Sequence, residues 1–359
     1  MKISFNIPTY NRAKFLKKNL DILATQIIEL HKENEVEINI SDNASTDNTK
    51  KISESCIYAY PQLHISYNCN EKNLGPDSNF ITAMHMAKGE YSILWGDDDF
   101  LKPDGLLRIF DLIDYGEKNN TQIMISSTSI CDARGRYLFE KPFLREDITT
   151  FCVDFSNIKE CREYFFLLKD MGGLLSFISD VIYKTSIINE ISFDNDFIGT
   201  NYAFLCYWWG WLFKGNKLFY SNQSYIYETY QFQPAYGYGI DRLMVDYDGY
   251  ILVADKFILD KHLKNDFLTA FQNLHKLYSL INQIHCESNK FKNVLLPALR
   301  KCGFNDFDIK ELYDFCSLRN QFKRITYVFV PYKNINKIKL RLKKSKYYFL
   351  IKNLSAKNR

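Results

Sequence analysis

Three consecutive carboxylates, Asp97, Asp98 and Asp99, follow an apolar run that begins at Tyr91 and ends in Leu94-Trp95-Gly96. Phe100-Leu101-Lys102-Pro103-Asp104 comes next, a turn whose proline suits the start of a helix. Acids at the end of a buried strand are costly unless they are paired or bind a metal. Hard divalent cations take oxygen ligands and reach nucleotide phosphates through one or two carboxylates. The triplet therefore points to a Mn2+ or Mg2+ site bridging a diphosphate, with Asp99 and Asp97 or Asp98 as ligands. A helix N-terminus, where acids favour the dipole, is the alternative.

Three more polar turns precede the triplet. Pro8-Thr9-Tyr10-Asn11-Arg12 offers an aromatic face, amides and a cation, which suit a nucleobase and its phosphates. As a lone motif it is equally a plain strand-to-helix turn. Asp42, followed by Asn43, ends a second strand-like run; its carboxylate can accept a hydrogen bond from a pyrimidine N–H or serve as a turn former. In Asn73-Leu74-Gly75-Pro76, Gly75 lets backbone approach a ligand closely.

The elements needed to position these turns are legible. Strands are expected over 2–8, 35–42, 63–68, 91–95 and 122–127. Helices are expected over 11–30, from a cap at Ser45 or Asp47, from a cap at Asp77 or Ser78 to residue 87, and over 103–115. This alternation implies an α/β fold with a mostly parallel sheet covered on both faces. Ligands of such sheets bind at the carboxyl ends of the strands, where all four turns fall. Beyond residue 130 the alternation fades. Residues 161–169 read as helix, 177–183 as strand, 201–214 as an aromatic helix whose Trp208, Trp209 and Trp211 suit a core, 225–230 as strand, and 240–285 as long helical material.

The chain has 359 residues, 46% hydrophobic and 25% charged, with aromatics at 16%. That length suits one large domain with an accessory part. A net charge of +4 hides an asymmetry: residues 315–359 carry thirteen Lys and Arg and no acid, against a body of net −9. The nine cysteines show no C-x-x-C pair, which fits reduced thiols in a cytosolic protein. The six histidines have no zinc spacing. No signal-peptide pattern opens the chain, and the longest apolar stretch, 202–213, is too short to span a bilayer.

Taken together, Pro8-Thr9-Tyr10-Asn11-Arg12, Asp42-Asn43-Ala44-Ser45-Thr46-Asp47, Asn73-Leu74-Gly75 and Asp97-Asp98-Asp99 with Pro103 resemble, in order and spacing, the nucleotide-binding half of the GT-A glycosyltransferases of inverting family 2. The resemblance covers residues 1–110. It implies a GT-A nucleotide-diphospho-sugar transferase fold and a nucleotide-sugar donor, a UDP-sugar foremost. Pro8, Thr9, Tyr10, Asn11, Arg12, Asp42, Asn43, Asn73 and Gly75 would form the nucleotide site, Asp42 touching the base. Asp99 and Asp97 would hold the cation, with Asp97 and Asp98 near the ribose or the metal shell. Family members commonly carry a Glu-Asp pair after a phrase like F-D-E-x-x-x-G, the Asp being general base. Here Phe193-Asp194-Asn195-Asp196-Phe197-Ile198-Gly199 leads into Thr200-Asn201, and neither is a competent base. Asp196, Asp194 or Asp180 would then take the role, Asp196 being favoured. This second half is similar to sugar transferases of bacterial surface-polysaccharide assembly, such as the abequosyltransferase-like branch.

The expectation is a GT-A domain over 1–240, with a nucleotide-binding half to 110 and an acceptor half from 111, followed by a helical region 241–359. The activity implied is inverting sugar transfer to a bacterial surface glycan of the lipopolysaccharide, lipooligosaccharide or capsule type, the acceptor being free or lipid-linked. A nucleotidyltransferase, or a non-catalytic scaffold that kept the fold, are the alternatives. Residues 230–239, aromatic and glycine-containing, suit a lid or a surface loop. The basic tail 315–359 mixes apolar and cationic residues as an anionic membrane partner requires. That places the chain at the cytoplasmic face of the inner membrane. Nucleic acid is not expected, since no binding module accompanies the charge.

Overall fold

A computed structural model describes residues 1–132, 135–229, 240–274 and 291–303. The aromatic loop 230–239 and the basic tail 315–359 lie outside the described residues. The first hundred residues alternate as β1 (Ile3–Thr9), α1 (Ala13–Glu29), β2 (Val36–Asp42), α2 (Thr49–Ala59), β3 (His64–Cys69), α3 (Pro76–His85), β4 (Tyr91–Leu94) and β5 (Phe100–Leu101). Then come α4 (Gly105–Lys118), β6 (Ile123–Ser126), β7 (Thr128–Cys131), β8 (Tyr137–Lys141), β9 (Thr150–Asp154) and α5 (Ile158–Leu167). The remainder includes β10 (Val181–Lys184), α6 (Ile187–Glu190), α7 (Phe204–Leu212), β11 (Lys217–Ser221), β12 (Ile226–Thr229), α8 (Ile240–Phe257), α9 (Lys261–Leu274) and α10 (Leu296–Lys301).

The main sheet has the order β3-β2-β1-β4-β10-β6-β11-β9, and a smaller one the order β5-β12-β7-β8. The first four strands are parallel. The sheet is nonetheless mixed, because β10 runs against both β4 and β6, and β9 against β11. Strand side chains alternate between faces. Ile3, Phe5 and Ile7 of β1 and Ile93 of β4 join one core with Leu16, Leu20, Leu23 and Ile27 of α1, whose three- and four-residue spacing makes one apolar stripe. The opposite face packs on a larger core containing Phe80 of α3, Tyr164 and Phe165 of α5, and Trp208 and Trp209 of α7. Helix α7 is buried almost all round, as a uniformly apolar helix must be. Tyr247, Tyr250 and Phe267 from α8 and α9 belong to that same core.

Three expectations at element ends are corrected. The strand anticipated over 177–183 begins only at Val181; Ile178–Asp180 form a tight helical turn. Ser179 leaves the strand ladder there because its hydroxyl accepts the Gly96 N–H at 2.8 Å. Neither Asp77 nor Ser78 caps α3. The cap position is Gly75, whose φ of +80° favours glycine. Nor does Ser45 or Asp47 hold the cap position of α2, which is Asn48; Asp47, one residue earlier, accepts from the N–H of Thr49 at 2.9 Å and of Ala13 at 3.0 Å.

Candidate active site

Parallel strands β1 to β4 end together, so the turns after them share one edge. Side chains then lock the turns to each other. Asn11, held at φ +55°, accepts from the Thr46 N–H at 2.8 Å, while its own N–H donates to Ser45 Oγ at 2.8 Å. Asn43 donates to Asn73 Oδ1 at 2.9 Å and to the Gly75 carbonyl at 3.0 Å, and accepts from the Leu74 N–H at 2.9 Å. Asp42 is buried and accepts from the Ser45 N–H at 2.8 Å and from the Tyr67 hydroxyl at 2.7 Å. The turns after β1, β2 and β3, far apart in number, thus meet at one edge of the sheet. Tyr10 stands there, well exposed.

The acidic triplet is tied to the first turn. Thr9 Oγ1 donates to Asp97 Oδ2 at 2.7 Å, and Arg12 Nε lies 2.7 Å from Asp97 Oδ1. Arg12 also pairs through its terminal nitrogen with Asp98. Asp99 accepts from Ser179 Oγ at 2.6 Å, and its other oxygen takes no hydrogen bond among the described residues. Gly96 is required at its position, because a Cβ there would run into the Asp99 carboxylate.

Asp97 and Asp99 are each only 5% exposed. Burial pushes the Asp97 carboxyl up to about 7; Arg12 pulls it down and Asp98 pushes it up. Burial, and then the charge of Asp98, also raise Asp99 well above the usual carboxylate range, against the Ser179 hydrogen bond. Negative charge is therefore in excess here.

That excess has a consequence for stability. A carboxyl that holds its proton more tightly folded than unfolded makes stability fall as pH rises between the two pKa values. For Asp97 the window runs from about 4 to about 7. Between pH 5 and 7 the metal-free protein should lose about 2 kcal/mol through this group. Thermal melts in EDTA should show the loss in wild type and a flatter profile in Asp97→Asn. Equal slopes in the two proteins would refute the assignment.

Among the described residues no three His, Cys, Asp or Glu side chains are grouped so as to hold a metal unaided. Mg2+ and Mn2+ bound with nucleotide phosphates need only one or two carboxylates. Asp99, with one oxygen uncommitted, fits that requirement; both oxygens of Asp97 are engaged, though each retains a lone pair. The crowding of buried acids is relieved by a divalent cation.

The later part of the chain adds contacts that sequence reasoning did not foresee. Asp77, buried at the start of α3, accepts three backbone hydrogen bonds from a turn more than 120 residues away. The donors are the N–H groups of Gly199 at 2.8 Å, Asn201 at 2.9 Å and Ala203 at 3.0 Å. A carboxylate thus enters the very turn where Thr200-Asn201 replaces an acidic pair, but it arrives from the nucleotide half. Ser179, which braces Asp99, was likewise unmarked. Asp196, the base favoured from sequence, sits at the periphery. Its side chain is 64% exposed and lies 2.5 Å from Lys256 Nζ, which also pairs with Asp194 at 2.7 Å. Asp180 lies on the inner side, fully buried.

Residues 4–169 match the profile described as Glycosyl transferase family 2. The chain is 34% identical to the abequosyltransferase RfbV of Salmonella typhimurium over 203 residues, 56% of this chain and 58% of that protein. It therefore spans somewhat over half the length of that relative. Among solved structures, Staphylococcus aureus TarS 1–349 in complex with UDP-GlcNAc superposes with a TM-score of 0.56 at 21% identity, covering 84% of this chain and 78% of TarS 1–349. A mannosyltransferase from Pyrobaculum calidifontis in complex with GDP-Man and Mn2+ gives 0.52 at 15% identity, covering 83% and 77%. These neighbours show that the chain has the GT-A fold.

Proposed function

We propose that this chain transfers a sugar from a nucleoside diphosphate donor to a hydroxyl of a bacterial surface glycan, with inversion at the anomeric carbon. The observation that carries this reading is the convergence of four turns on one sheet edge, where an acidic triplet holds two buried carboxylates. Pro8, Thr9, Tyr10, Asn11, Asn43, Asn73 and Gly75 line the nucleotide cleft, and Asp42 receives an N–H of the base. Arg12 holds Asp97 and Asp98 in register and offers a cation for phosphate oxygens. Asp99 and Asp97 hold a divalent cation, whose chemistry is to offset charge developing on the departing diphosphate. The TarS complex with UDP-GlcNAc and the mannosyltransferase complex with GDP-Man and Mn2+ support a nucleotide-sugar donor and a metal. The likeness to the Salmonella abequosyltransferase supports a lipopolysaccharide-type acceptor, free or lipid-linked.

In a single displacement the acceptor oxygen attacks the anomeric carbon as its proton leaves, and no covalent enzyme intermediate forms. The basic tail 315–359 would bring the enzyme to an anionic membrane surface holding that acceptor, at the inner face of the cytoplasmic membrane. No helix among the described residues is long and apolar enough to cross a membrane. The presence of Thr200-Asn201 where an acidic pair is expected favours, as a second reading, a nucleotide-binding protein without catalysis.

Incubation with UDP-, GDP-, CDP- and dTDP-sugars and Mn2+ separates the two. Release of nucleoside diphosphate from one donor is the expected result. Binding without turnover under any condition would leave the scaffold reading, and no binding at all would remove both.

A further inference from the structure

Ser179 is fully buried, and its hydroxyl is committed twice. It accepts the Gly96 N–H at 2.8 Å and stands 2.6 Å from Asp99 Oδ2. A backbone N–H can only donate, so it occupies a lone pair of Ser179 Oγ, and the hydroxyl's one hydrogen is left for Asp99. The first bond thereby sets the direction of the second. The turn carrying Ser179 is itself anchored, since its carbonyl accepts from the hydroxyl of the fully buried Tyr225 at 3.0 Å. Strand β10 follows at once and runs against β4 with Ile182 opposite Ile93, which keeps this turn beside the residues that leave β4. Gly96 leaves room for the contact, because a Cβ there would crowd both the Ser179 hydroxyl and the Asp99 carboxylate.

This arrangement limits what Asp99 can offer a cation. Ca2+ takes about six to eight oxygens in flexible geometry and readily accepts both oxygens of one carboxylate. Mg2+ demands near-ideal octahedral geometry and keeps several waters, and Mn2+ suits the same six-oxygen set. Chelation by both oxygens needs a carboxylate free to turn both toward one ion. Asp99, pinned at Oδ2, does not have that freedom. Asp97 is held at both ends, by Thr9 at Oδ2 and by Arg12 at Oδ1. The two buried acids are thus presented as single-oxygen ligands.

We propose that Ser179 is a positioning residue that makes the cation site of this chain selective for small octahedral ions, Mg2+ and Mn2+, over Ca2+. This rests on the sugar-transfer reading above, which supplies the cation and the nucleotide. Ser179 touches neither of them; it acts through the orientation of Asp99.

The test is calorimetric titration of UDP, GDP, CDP and dTDP into the protein in excess MnCl2, in excess CaCl2 and in EDTA. The readout is the ratio of Kd in Ca2+ to Kd in Mn2+ for the diphosphate that binds wild type. Both cations must displace the same proton that burial favours on Asp99, so the ratio does not report that proton. Wild type should bind more tightly in Mn2+. Ser179→Ala should gain affinity in Ca2+ and lose it in Mn2+, lowering the ratio by about 10-fold, the lower end of what a hydrogen-bond partner of a metal ligand contributes. Ser179→Cys, close in size and a weak donor, should move the ratio the same way by less. Tyr225→Phe removes the bond to the Ser179 carbonyl but leaves the hydroxyl in place, and should keep the wild-type ratio. An unchanged ratio in the Ser179 variants, or an equal fall in Tyr225→Phe, would overturn the assignment. Equal wild-type binding in Mn2+, Ca2+ and EDTA would also overturn it, while leaving the donor reading intact. Failure of wild type to bind any of the four diphosphates would instead remove the donor reading, and the selectivity with it.

Discussion

Asp99→Asn should lower sugar transfer by about 10³-fold, the scale seen when a group stabilising transition-state charge is removed. The amide keeps the volume of the carboxyl and can still accept from Ser179 Oγ, so the turn stays in place. What disappears is the formal charge that draws a cation to the diphosphate. The loss should therefore fall on kcat and on the metal dependence of nucleotide binding, without cost to folding. Removing one of several mutually repelling buried acids should leave the metal-free protein at least as stable as wild type. Asp147→Ala, at an exposed carboxylate paired with Arg145, is the control and should behave as wild type. Retention of Mn2+-dependent turnover in Asp99→Asn would show that the cation, if used, is held elsewhere.

Asp77→Ala should cost stability on a different scale from an ordinary surface change. The carboxylate is buried and takes three N–H donors from one turn, so its removal strands all three. Hydrogen bonds to a charged group contribute roughly 1.5–3 kcal/mol each and are not additive; a loss of about 3 kcal/mol or more is expected. For a chain of this size that lowers Tm by roughly 4 °C. The turn contains two residues at positive φ, Gly199 at +96° and Asn201 at +62°, a shape that needs outside support. Asp77→Asn, which can accept from fewer donors, should fall between. A Tm within 2 °C of wild type for Asp77→Ala, by calorimetry, would mean that the turn finds other acceptors.

The nucleotide half was legible because its signals are local. Each apolar strand, each turn residue and each helical stripe lies within a dozen positions of the next. Parallel topology then brings the turns after β1 to β4 to one edge without further information. The pairing of Arg12 with Asp97 and Asp98, across 85 positions or more, follows from adjacency of β1 and β4. The acceptor half was less legible. Ser179 looks like any serine before a strand, and only the antiparallel placement of β10 shows that it braces Asp99. Asp77 has the pattern of a helix cap; nothing in its neighbourhood hints at a partner near residue 200. Asp196 lies in the stretch where the resemblance led the base to be sought; its pairing with Lys256 at the surface is not legible from that stretch.

The clasp between Asp77 and the turn at 199–203 also bears on modularity. A chimera joining the first 110 residues of another transferase to the remainder of this one would inherit amide hydrogens with no acid to receive them. The start of α3 and the turn at 199–203 are therefore mechanically coupled. Recombination that carries α3 along with the later turn preserves the clasp.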